Sequence, residues 1–430
     1  MKIQIPKGTF DILPYACEEP WRLTDLWIHA EQLIRQTAAD YGYREIRTPI
    51  YERTELFDRG VGESTDIVMK EMFTFEDRGG RSISLRPEGT ASVARAFVEN
   101  HLAQEGSVHK FFYIGPMFRY ERPQSGRYRQ HHQFGVEAYG NGDPEQDAEV
   151  IDFLLQLYRR LGLAKLKVHI NTVGDAPSRA RYREALLAYL APHVAQLSAD
   201  SQARLEKNPL RILDSKDPAD REIVQGAPSI LEYLTPEAGQ HFQAVCHLLT
   251  QLKVEYVIDH KLVRGLDYYN KTVFEVLTED LGAQNTIGAG GRYDGLVGQL
   301  GGPDLPAVGF ATGLERVLQV LTAQGVPYPS TTRPFVYFIP LGDEAKEATF
   351  LLTSQCRHAG LPAGLELSAK KVNVAIQNGL KAESTYCCII GSQELQTNRV
   401  KLKELATRQE IEIPLDKLIS ELRRLYTHPC

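Results

Sequence analysis

The sequence predicts a mixed α/β protein in which an antiparallel sheet flanked by helices is followed by a smaller α/β domain. Three observations predict this fold. Strand-like segments follow one another between residues 44 and 140, separated by polar or Gly/Pro turns, which favours antiparallel pairing. An Ala-, Glu-, Gln- and Leu-rich stretch at about 173–252 has a mainly helical pattern and is predicted to be an insertion. After a Pro/Thr linker, a strand–helix–strand alternation is typical of a small α/β domain.

The linker GVPYPSTTRP sets the predicted domain boundary. Residues 1–330 are predicted to form the core, including the helical insertion, and residues 331–430 the smaller α/β domain. A length of 430 residues suits two or three domains, at about 100–200 residues each. Apolar residues at three- and four-residue spacing predict a first helix from about Pro20 to Asp40. The strand pattern is predicted to resume in VEYVIDHKLVRGLDYYNKTVFEVLT, ahead of the helix TGLERVLQVLTAQ.

Composition is ordinary for a soluble globular protein, with 43% hydrophobic and 24% charged residues. No apolar run approaches the ~18–20 residues that span a bilayer, and the N-terminus has no apolar signal-peptide core. A cytoplasmic protein with no membrane partner is therefore predicted. The six cysteines form no CxxC pair, so neither a zinc knuckle nor a disulfide framework is indicated. The net charge of −6 does not exclude a nucleic-acid partner, because phosphate contacts depend on local basic patches.

One predicted hairpin, YIGPMFRYERPQSGRYRQHHQFGVEAYG, carries charged and amide side chains. Its first strand is predicted to hold Arg119 and Glu121 on one face, and its return strand Gln133 and Glu137 on one face. If the strands pair, a guanidinium lies opposite an amide and a carboxylate, and a planar guanidinium binds phosphate bidentately. The alternative is an exposed hairpin face with cross-strand ion pairs.

Two further segments carry candidate site residues. In LRPEGTA, Glu88 and Thr90 supply a carboxylate and a hydroxyl for an ammonium group, or Glu88 caps the following helix. In GFATGLERVLQVL, the glycines allow close approach of a planar purine beside Arg316, or simply tight helix–strand packing. GAGGRYDGL lacks a GK[ST] ending, so a P-loop is rejected. His131 and His132 point to opposite faces of a strand, which predicts structural roles and no shared metal.

Five segments of the sequence resemble motifs of known protein families. The first helix with TPIYE, FRYE with its loop and return strand, and GFATGLER resemble, in this order, motifs 1, 2 and 3 of class II aminoacyl-tRNA synthetases. LVRGLDYYNKTVFEV and GAGGRYDGL are similar to two histidine-specific motifs of histidyl-tRNA synthetases. The class I signatures HIGH and KMSKS are absent. The resemblance covers essentially the whole chain, and its one departure is Tyr120, where histidine is often expected.

The resemblance implies a reaction with ATP. A member of this family converts histidine and ATP to histidyl-adenylate and transfers histidine to the 3′ end of tRNA(His). The fold expected is a class II antiparallel sheet with a helical insertion and an anticodon-binding α/β domain, in a homodimer. By resemblance, Arg119 and the catalytic Arg264 lie at the α-phosphate, Arg316 at the γ-phosphate and Glu121 near the adenine. Mg²⁺ is expected on the β- and γ-phosphates, with no metal site of the protein's own.

The same resemblance assigns residues to histidine and to tRNA. Arg264 is included among the histidine-binding residues. Around it, Glu88 and Thr90 would bind the ammonium group, Gln133 the backbone end of the substrate, and Glu137 and Tyr269 the two ring nitrogens, with Tyr268 nearby. The loop residues Gln124, Arg127 and Arg129 would meet the tRNA acceptor end, or would be plain solvated charge.

Two other functions are weighed. The non-catalytic, histidine-binding regulatory subunit of ATP phosphoribosyltransferase has the same core fold but lacks the anticodon-binding domain, whereas this chain continues for about 100 residues beyond GFATGLER. That regulator would also be expected to lack some of the arginines 119, 264 and 316. A prolyl or threonyl synthetase would share the three motifs but not RGLDYY.

Overall fold

The computed structural model describes residues 3–62, 65–122, 126–281, 285–329, 333–368 and 371–426. The chain divides into two units, Met1–Tyr328 and Pro329–Cys430. This division falls inside the linker that marks the domain boundary in the sequence. Each unit has its own sheet and its own hydrophobic core.

The first unit contains helices and strands throughout its described residues. The helices are α1 (Thr24–Asp40), α2 (Thr54–Phe57), α3 (Thr90–Glu99), α4 (Pro144–Leu161), α5 (Ala176–Leu190), α6 (Ala199–Lys207), α7 (Pro218–Val224), α8 (Pro236–Gln251), α9 (Leu296–Gln299) and α10 (Leu314–Ala323). The strands are β1 (Arg44–Glu45), β2 (Tyr51–Arg53), β3 (Thr74–Glu76), β4 (Ser82–Leu85), β5 (His109–Phe118), β6 (Gln130–Tyr139), β7 (Leu166–Thr172), β8 (Tyr256–Ile258), β9 (Asn270–Thr278), β10 (Thr286–Arg292) and β11 (Ala307–Gly313).

Eight of these strands form one large sheet, in the order β1-β5-β6-β11-β10-β9-β7-β8. The outer pairs β1/β5 and β7/β8 are parallel, and every pair between them is antiparallel. A second sheet has the order β2-β4-β3. The predicted fold class, an antiparallel-rich sheet flanked by helices, is therefore confirmed.

Helix α1 illustrates how apolar spacing positions a helix on this sheet. Leu26, Trp27, Ala30 and Ile34 are buried, and they pack in one core with residues of α4 and of the large sheet. Each fully buried large side chain of this kind stabilises the fold by about 1.5–3 kcal/mol. The helix begins at Thr24 rather than near residue 20, because the backbone at residues 22–24 hydrogen-bonds to Leu13 and leaves a separate 3₁₀ turn before it.

Two predicted strands differ from the structure. The strand predicted to carry Arg119 and Glu121 ends at Phe118, because the Tyr120 amide donates to the Glu71 carbonyl at 2.6 Å and not to the sheet. Likewise the segment RGLDYY, residues 264–269, was predicted within a strand but forms a loop before β9. Both candidate arginines of these segments therefore lie on loops at the end of the sheet and not on strands.

Helices α5–α8 form the helical insertion. Each of the four begins with a side-chain cap, from Asp175, Ser198, Asp217 and Thr235 in chain order. Asp220 is buried and accepts hydrogen bonds from the hydroxyls of three serines, which join α6, α7 and the segment between them. These bonds lower the pKa of Asp220 to about 2, so its charge stabilises the insertion down to strongly acid pH.

The second unit alternates strands and helices around a smaller sheet. It contains β12 (Val336–Pro340), α11 (Asp343–His358), β13 (Ala363–Leu365), α12 (Val372–Lys381), β14 (Tyr386–Ile390), α13 (Ser392–Thr397), β15 (Arg399–Glu404), β16 (Glu410–Pro414) and α14 (Leu418–Leu425). The strand order is β13-β12-β14-β15-β16, with parallel pairing around β12 and antiparallel pairing beyond β14. The predicted small α/β domain is therefore confirmed. In the described parts of both units, no helix has the length and apolar character of a membrane span.

Candidate active site

Glycines on the central strands make room for the site. A Cβ at Gly309 on β11 would lie 2.3 Å from Oε2 of Glu137 on the neighbouring strand β6. A Cβ at Gly291 on β10 would lie 3.0 Å from the ring of Tyr269. A larger residue at either position would displace a predicted site residue, so the glycine-rich strands form a floor on which these side chains can lie.

Glu137 is the centre of a buried polar cluster on this floor. Its Oε1 accepts a hydrogen bond of 2.8 Å from the Thr90 hydroxyl, and its Oε2 accepts one from the Tyr293 hydroxyl. Only 1% of Glu137 is exposed, and this burial raises the pKa of its carboxyl to about 8. The group is therefore close to its titration point near neutral pH, where it can share a proton with a basic ring nitrogen.

Glu88 lies at the start of α3 beside this cluster. Its two oxygens accept hydrogen bonds from the amides of Thr90 at 2.7 Å and Ala91 at 2.9 Å, so it does cap the helix. Burial nevertheless raises the pKa of Glu88, because desolvation outweighs those two bonds. Gln133 on β6 contributes an Oε1 that is buried and has no hydrogen-bond partner within the described parts of the chain. A polar ligand here would find a carboxylate and an amide oxygen as acceptors.

Aromatic rings form one wall of the cluster. The rings of Tyr268 and Tyr269 are 4.6 Å apart, and the ring of Tyr293 lies 5.4 Å from that of Tyr268. The guanidinium carbon of Arg264 lies 5.9 Å from the centre of the Tyr269 ring. The structure thus brings the loop residues Arg264, Tyr268 and Tyr269 together with Glu137, which is far from them in the sequence.

A chain of hydrogen bonds links two of the predicted phosphate-binding arginines. Arg264 donates to one oxygen of Glu275, whose other oxygen accepts a 3.0 Å bond from the Thr286 hydroxyl. The Thr286 carbonyl in turn accepts a 2.7 Å bond from Arg316. Arg316 also donates to the Gly126 carbonyl at 3.1 Å. Both guanidinium groups are therefore oriented before any ligand binds.

Positive charge is crowded at this end of the site. Arg119 donates to the Pro87 carbonyl at 2.9 Å, which places its guanidinium beside the turn that carries Glu88. Burial, followed by the positive charges of Arg119 and Arg316, holds the pKa of His131 well below its usual value. Burial and the charge of Arg127 also lower the pKa of Arg316. Such mutual repulsion is relieved by an anion, so the cluster is suited to bind phosphate groups.

The loop between β5 and β6 is held in part by its own charges. Arg127 forms an ion pair of 2.9 Å with Glu121. The guanidinium carbon of Arg129 lies 3.9 Å from the centre of the Tyr120 ring, within the range of a cation–π contact. Tyr120, the one departure from the family pattern, therefore has a packing partner. Gln124 lies outside the described residues.

A cleft of about 670 Å³ opens beside the loop. It is lined by groups of both signs from the core and from the helical insertion, namely Asp66, Glu71, Arg119, Glu121, Arg127, Asp200, Arg204, Arg211, Asp214, Lys216 and Asp217. The pKa of Glu71 is raised by burial and then by the negative charge of Glu121. Glu71 is therefore a partly buried carboxylate whose charged form a cation in the cleft would stabilise.

The adjacent histidines have separate surroundings. Both the amide and the ring Nδ1 of His132 lie within hydrogen-bond distance of Oε1 of Glu315, at 2.7 and 2.9 Å. The ring of His132 packs 5.0 Å from that of Trp27 in α1. His132 therefore joins the sheet to α10 and α1. Within the described ranges, no three His, Cys, Asp or Glu side chains are grouped so as to hold a metal ion.

Two contributors to the site were missed by sequence reasoning, Tyr293 and Glu275. Both lie in the two segments that resemble histidine-specific motifs, GAGGRYDGL and LVRGLDYYNKTVFEV. Tyr293, however, bonds to a residue 156 positions earlier in the chain, and spacing within one segment cannot show such a partner. The alternation of side chains along β9 was the available signal for Glu275. It places Glu275 on one face of the strand and its buried neighbours Phe274 and Val276 on the other face.

Models of known protein families match each of the two units. The sequence model of a family described as "Histidyl-tRNA synthetase" matches residues 26–317, and one described as "Anticodon binding domain" matches residues 336–425. A protein of Protochlamydia amoebophila named histidine–tRNA ligase is 55% identical over 423 residues, which cover 98% of this chain and 100% of that protein. A protein of the same name from Bacillus subtilis is 46% identical over 426 residues, covering 98% of this chain and 99% of that protein.

Solved structures are similar over the same length. The apo histidyl-tRNA synthetase of S. aureus has a TM-score of 0.83 and 35% identity, covering 98% of this chain and 100% of that chain. A Bacillus halodurans structure is described as an ATP phosphoribosyltransferase regulatory subunit/histidyl-tRNA synthetase. It has a TM-score of 0.62 but only 22% identity, and covers 91% of this chain and 98% of that chain. The second likeness shows the fold alone.

Proposed function

The chain belongs to the histidyl-tRNA synthetase family and is a class II ligase that joins histidine to tRNA, and we propose how its residues divide that reaction. The observation that carries the proposal is the shape of the site. A buried carboxylate with tyrosines lies at one end, and linked arginines lie at the other. High identity to full-length ligases favours this function over the regulatory alternative.

The first step is proposed to be an in-line attack of the histidine carboxylate on the α-phosphate of ATP. The new bond joins a carboxylate oxygen to phosphorus, and the bond to the leaving pyrophosphate breaks. Arg119 and Arg264 neutralise the α-phosphate, and Arg316 the γ-phosphate, while Glu121 lies near the adenine. The arginines suit this task because their orientation is fixed in advance by carbonyl and carboxylate partners.

Magnesium is proposed to enter with the nucleotide. Mg²⁺ is usually held by one or two carboxylates and by substrate phosphates, and not by a dedicated protein cage. Glu71, a carboxylate that lines the cleft together with Arg119, fits this chemistry. When bound, the ion would supply charge neutralisation on the β- and γ-phosphates.

Histidine is proposed to bind across the buried cluster. Glu137 and Tyr269 would accept from or donate to the two ring nitrogens, with Tyr268 closing the wall. Glu88 and Thr90 would bind the ammonium group. Gln133 would bind the backbone end of the substrate, where its Oε1, which has no partner in the described residues, would accept a hydrogen bond from the same ammonium group. Arg264, 5.9 Å from the Tyr269 ring centre, would lie between the two ends.

ATP–pyrophosphate exchange with each of the twenty amino acids tests the proposed function. We expect exchange with histidine and rejection of the others. An analogue without ring nitrogens makes none of the hydrogen bonds that histidine would make to Glu137 and Tyr269, and such a site can reject it by about 10⁴–10⁵-fold. Exchange with proline or threonine in preference to histidine would contradict the assignment of the cluster.

The loop residues Arg127 and Arg129 are proposed to contact the tRNA acceptor end together with Gln124. Arg127→Ala and Arg129→Ala should then weaken aminoacylation more than adenylation. Each lost phosphate contact should also lower the slope of log affinity against log salt by about one. Both rates are measured for each variant, and equal damage to the two steps would place these arginines in the ATP site instead.

A homodimer is proposed for the first unit. The segment from Ile50 to the end of β4 exposes large apolar side chains to solvent. Tyr51 is 57% exposed, Phe75 49% and Ile50 45%. A two-fold mate would bury these side chains. Sedimentation equilibrium at micromolar concentration should give twice the mass of 48.3 kDa, and Tyr51→Glu should shift the population toward monomer. A monomer at all concentrations would contradict the proposal.

A cytoplasmic location is proposed as well. Its support is the chemistry of the cysteines, since Cys17, Cys246, Cys356, Cys387 and Cys388 are free thiols. Free thiols persist in a reducing compartment. Fractionation of cells with an antibody against the chain would test the location directly.

A further inference from the structure

The helical insertion contacts the loop 264–269 at every second residue. Three side chains of the insertion donate hydrogen bonds to the loop. In the order given next, they come from the turn after α6, from the end of α6 and from α5. The three contacts are Arg211 to the Gly265 carbonyl at 2.7 Å, Asn208 to Oδ1 of Asp267 at 3.0 Å, and Arg179 to the Tyr269 carbonyl at 3.1 Å. The residues between and beside these contacts include Arg264 and Tyr268, which are proposed to act in the site.

The loop depends on these contacts because it is not part of the sheet. Strand β8 ends at Ile258 and β9 begins at Asn270, so no ladder of backbone bonds holds residues 264–269. The part of the first unit outside the insertion supplies one backbone hydrogen bond to the loop, from the Asp267 amide to the Val61 carbonyl at 3.3 Å. Gly62, with φ of +107°, also leaves room for Asp267, since a Cβ there would lie 2.6 Å from its carboxylate.

Arg211 is held in place by a carboxylate of the core. Its guanidinium lies 3.7 Å from Asp66, which also pairs with Arg204 at 3.2 Å. These ion pairs are partly exposed to water and contribute little stability on their own. Their effect is to fix the direction of the Arg211 guanidinium, so that it donates to the carbonyl directly after Arg264.

We propose that Arg211 and Arg179 are positioning residues, through which the insertion sets the two ends of the loop. Arg211 holds the Gly265 carbonyl and thereby orients Arg264, the residue proposed to act on the α-phosphate. Arg179 holds the Tyr269 carbonyl and thereby orients Tyr269, the residue proposed to bind the histidine ring. This inference rests on the proposed function, and it predicts different kinetic effects for two arginines of the same insertion.

Arg211→Ala should lower kcat of histidine-dependent pyrophosphate exchange by about tenfold with little change in KM for histidine. A factor of ten corresponds to about 1.4 kcal/mol, the size expected for one hydrogen bond. Arg179→Ala should raise KM for histidine by about tenfold and change kcat less. A fall in kcat alone marks a contact that matters in the transition state, and a rise in KM alone marks lost substrate binding.

A double substitution separates positioning from direct contact. If Arg211 acts through Arg264, Arg211→Ala should cause no further loss in the Arg264→Ala background. A full additional tenfold loss would show that Arg211 touches the nucleotide itself and would overturn the inference. Arg211→Lys, which keeps a donor and a positive charge, should recover part of the lost kcat.

The matched control is Arg221→Ala, on the exposed face of α7 in the same insertion. This variant should retain wild-type kcat and KM, and all variants should unfold at similar temperatures. If wild-type protein catalyses exchange and Arg211→Ala and Arg179→Ala do so equally well, the positioning inference is wrong while the proposed function stands. If wild-type protein shows no histidine-dependent exchange, the proposed function itself is wrong.

Discussion

Arg264→Ala is expected to lower the rate of histidine-dependent pyrophosphate exchange by about 10²–10³-fold, the loss typical of one preorganised donor in a transition state. Negative charge builds at the α-phosphate as the bond to pyrophosphate breaks, and a guanidinium there stabilises that charge. In the structure, Arg264 is already oriented by Glu275, which is itself bonded to Thr286. The protein therefore does not have to reorganise this donor during the reaction.

Histidine affinity is expected to change much less in this variant, because Glu137, Tyr269 and Glu88 remain. Isothermal titration with histidine alone measures that affinity, and steady-state exchange separates kcat from KM. Arg181→Ala, at an exposed position of α5, is the matched control and should behave as wild type. Near-wild-type exchange by Arg264→Ala, or outright loss of histidine binding, would remove Arg264 from its catalytic role.

Apolar periodicity was sufficient to predict the elements that pack on the sheet. The three- and four-residue spacing in α1 and the turn-separated strands β5 and β6 produce the predicted packing, because burial of one face decides both. Where backbone groups bond outside the regular pattern, the prediction was wrong. The Arg119 amide still donates to the Arg129 carbonyl across the hairpin, but the next amide, that of Tyr120, donates to the Glu71 carbonyl, a partner in another segment that spacing cannot reveal.

In the candidate site too, positions along one strand could be predicted from the sequence, and contacts between distant segments could not. Glu137 and Gln133 were predicted on one face of a strand, and the structure has both on β6. Their partners depend on strand order, since β11 and β10 lie between β6 and β9 and bring distant segments into contact. Tyr293 reaches Glu137, and Glu275 reaches Arg264, only after that sheet has formed. Such pairings are properties of the topology and not of any local motif.

Removing residues from Arg333 onward is expected to leave histidine adenylation within about twofold of wild type while kcat/KM for tRNA falls by about 100-fold. The second unit has its own core, with Val336, Phe338 and Leu402 buried in one cluster, and the large core cluster of the first unit contains only residues of the first unit. Base contacts are worth about 1–3 kcal/mol each, so losing two of them accounts for about two factors of ten.

A tRNA(His) transcript with replaced anticodon bases provides the matched control for the truncation. The full chain should charge this transcript about 100-fold less efficiently than the native one, because the anticodon contacts that the family resemblance implies for the second unit are lost. The truncated chain should charge both transcripts equally poorly, since it no longer contains the residues that would distinguish them. Its circular dichroism and its pyrophosphate exchange establish that the first unit is folded and active. A folded truncated chain that still discriminated between the two transcripts would place anticodon recognition in the first unit and would contradict the anticodon-binding role predicted for residues 331–430.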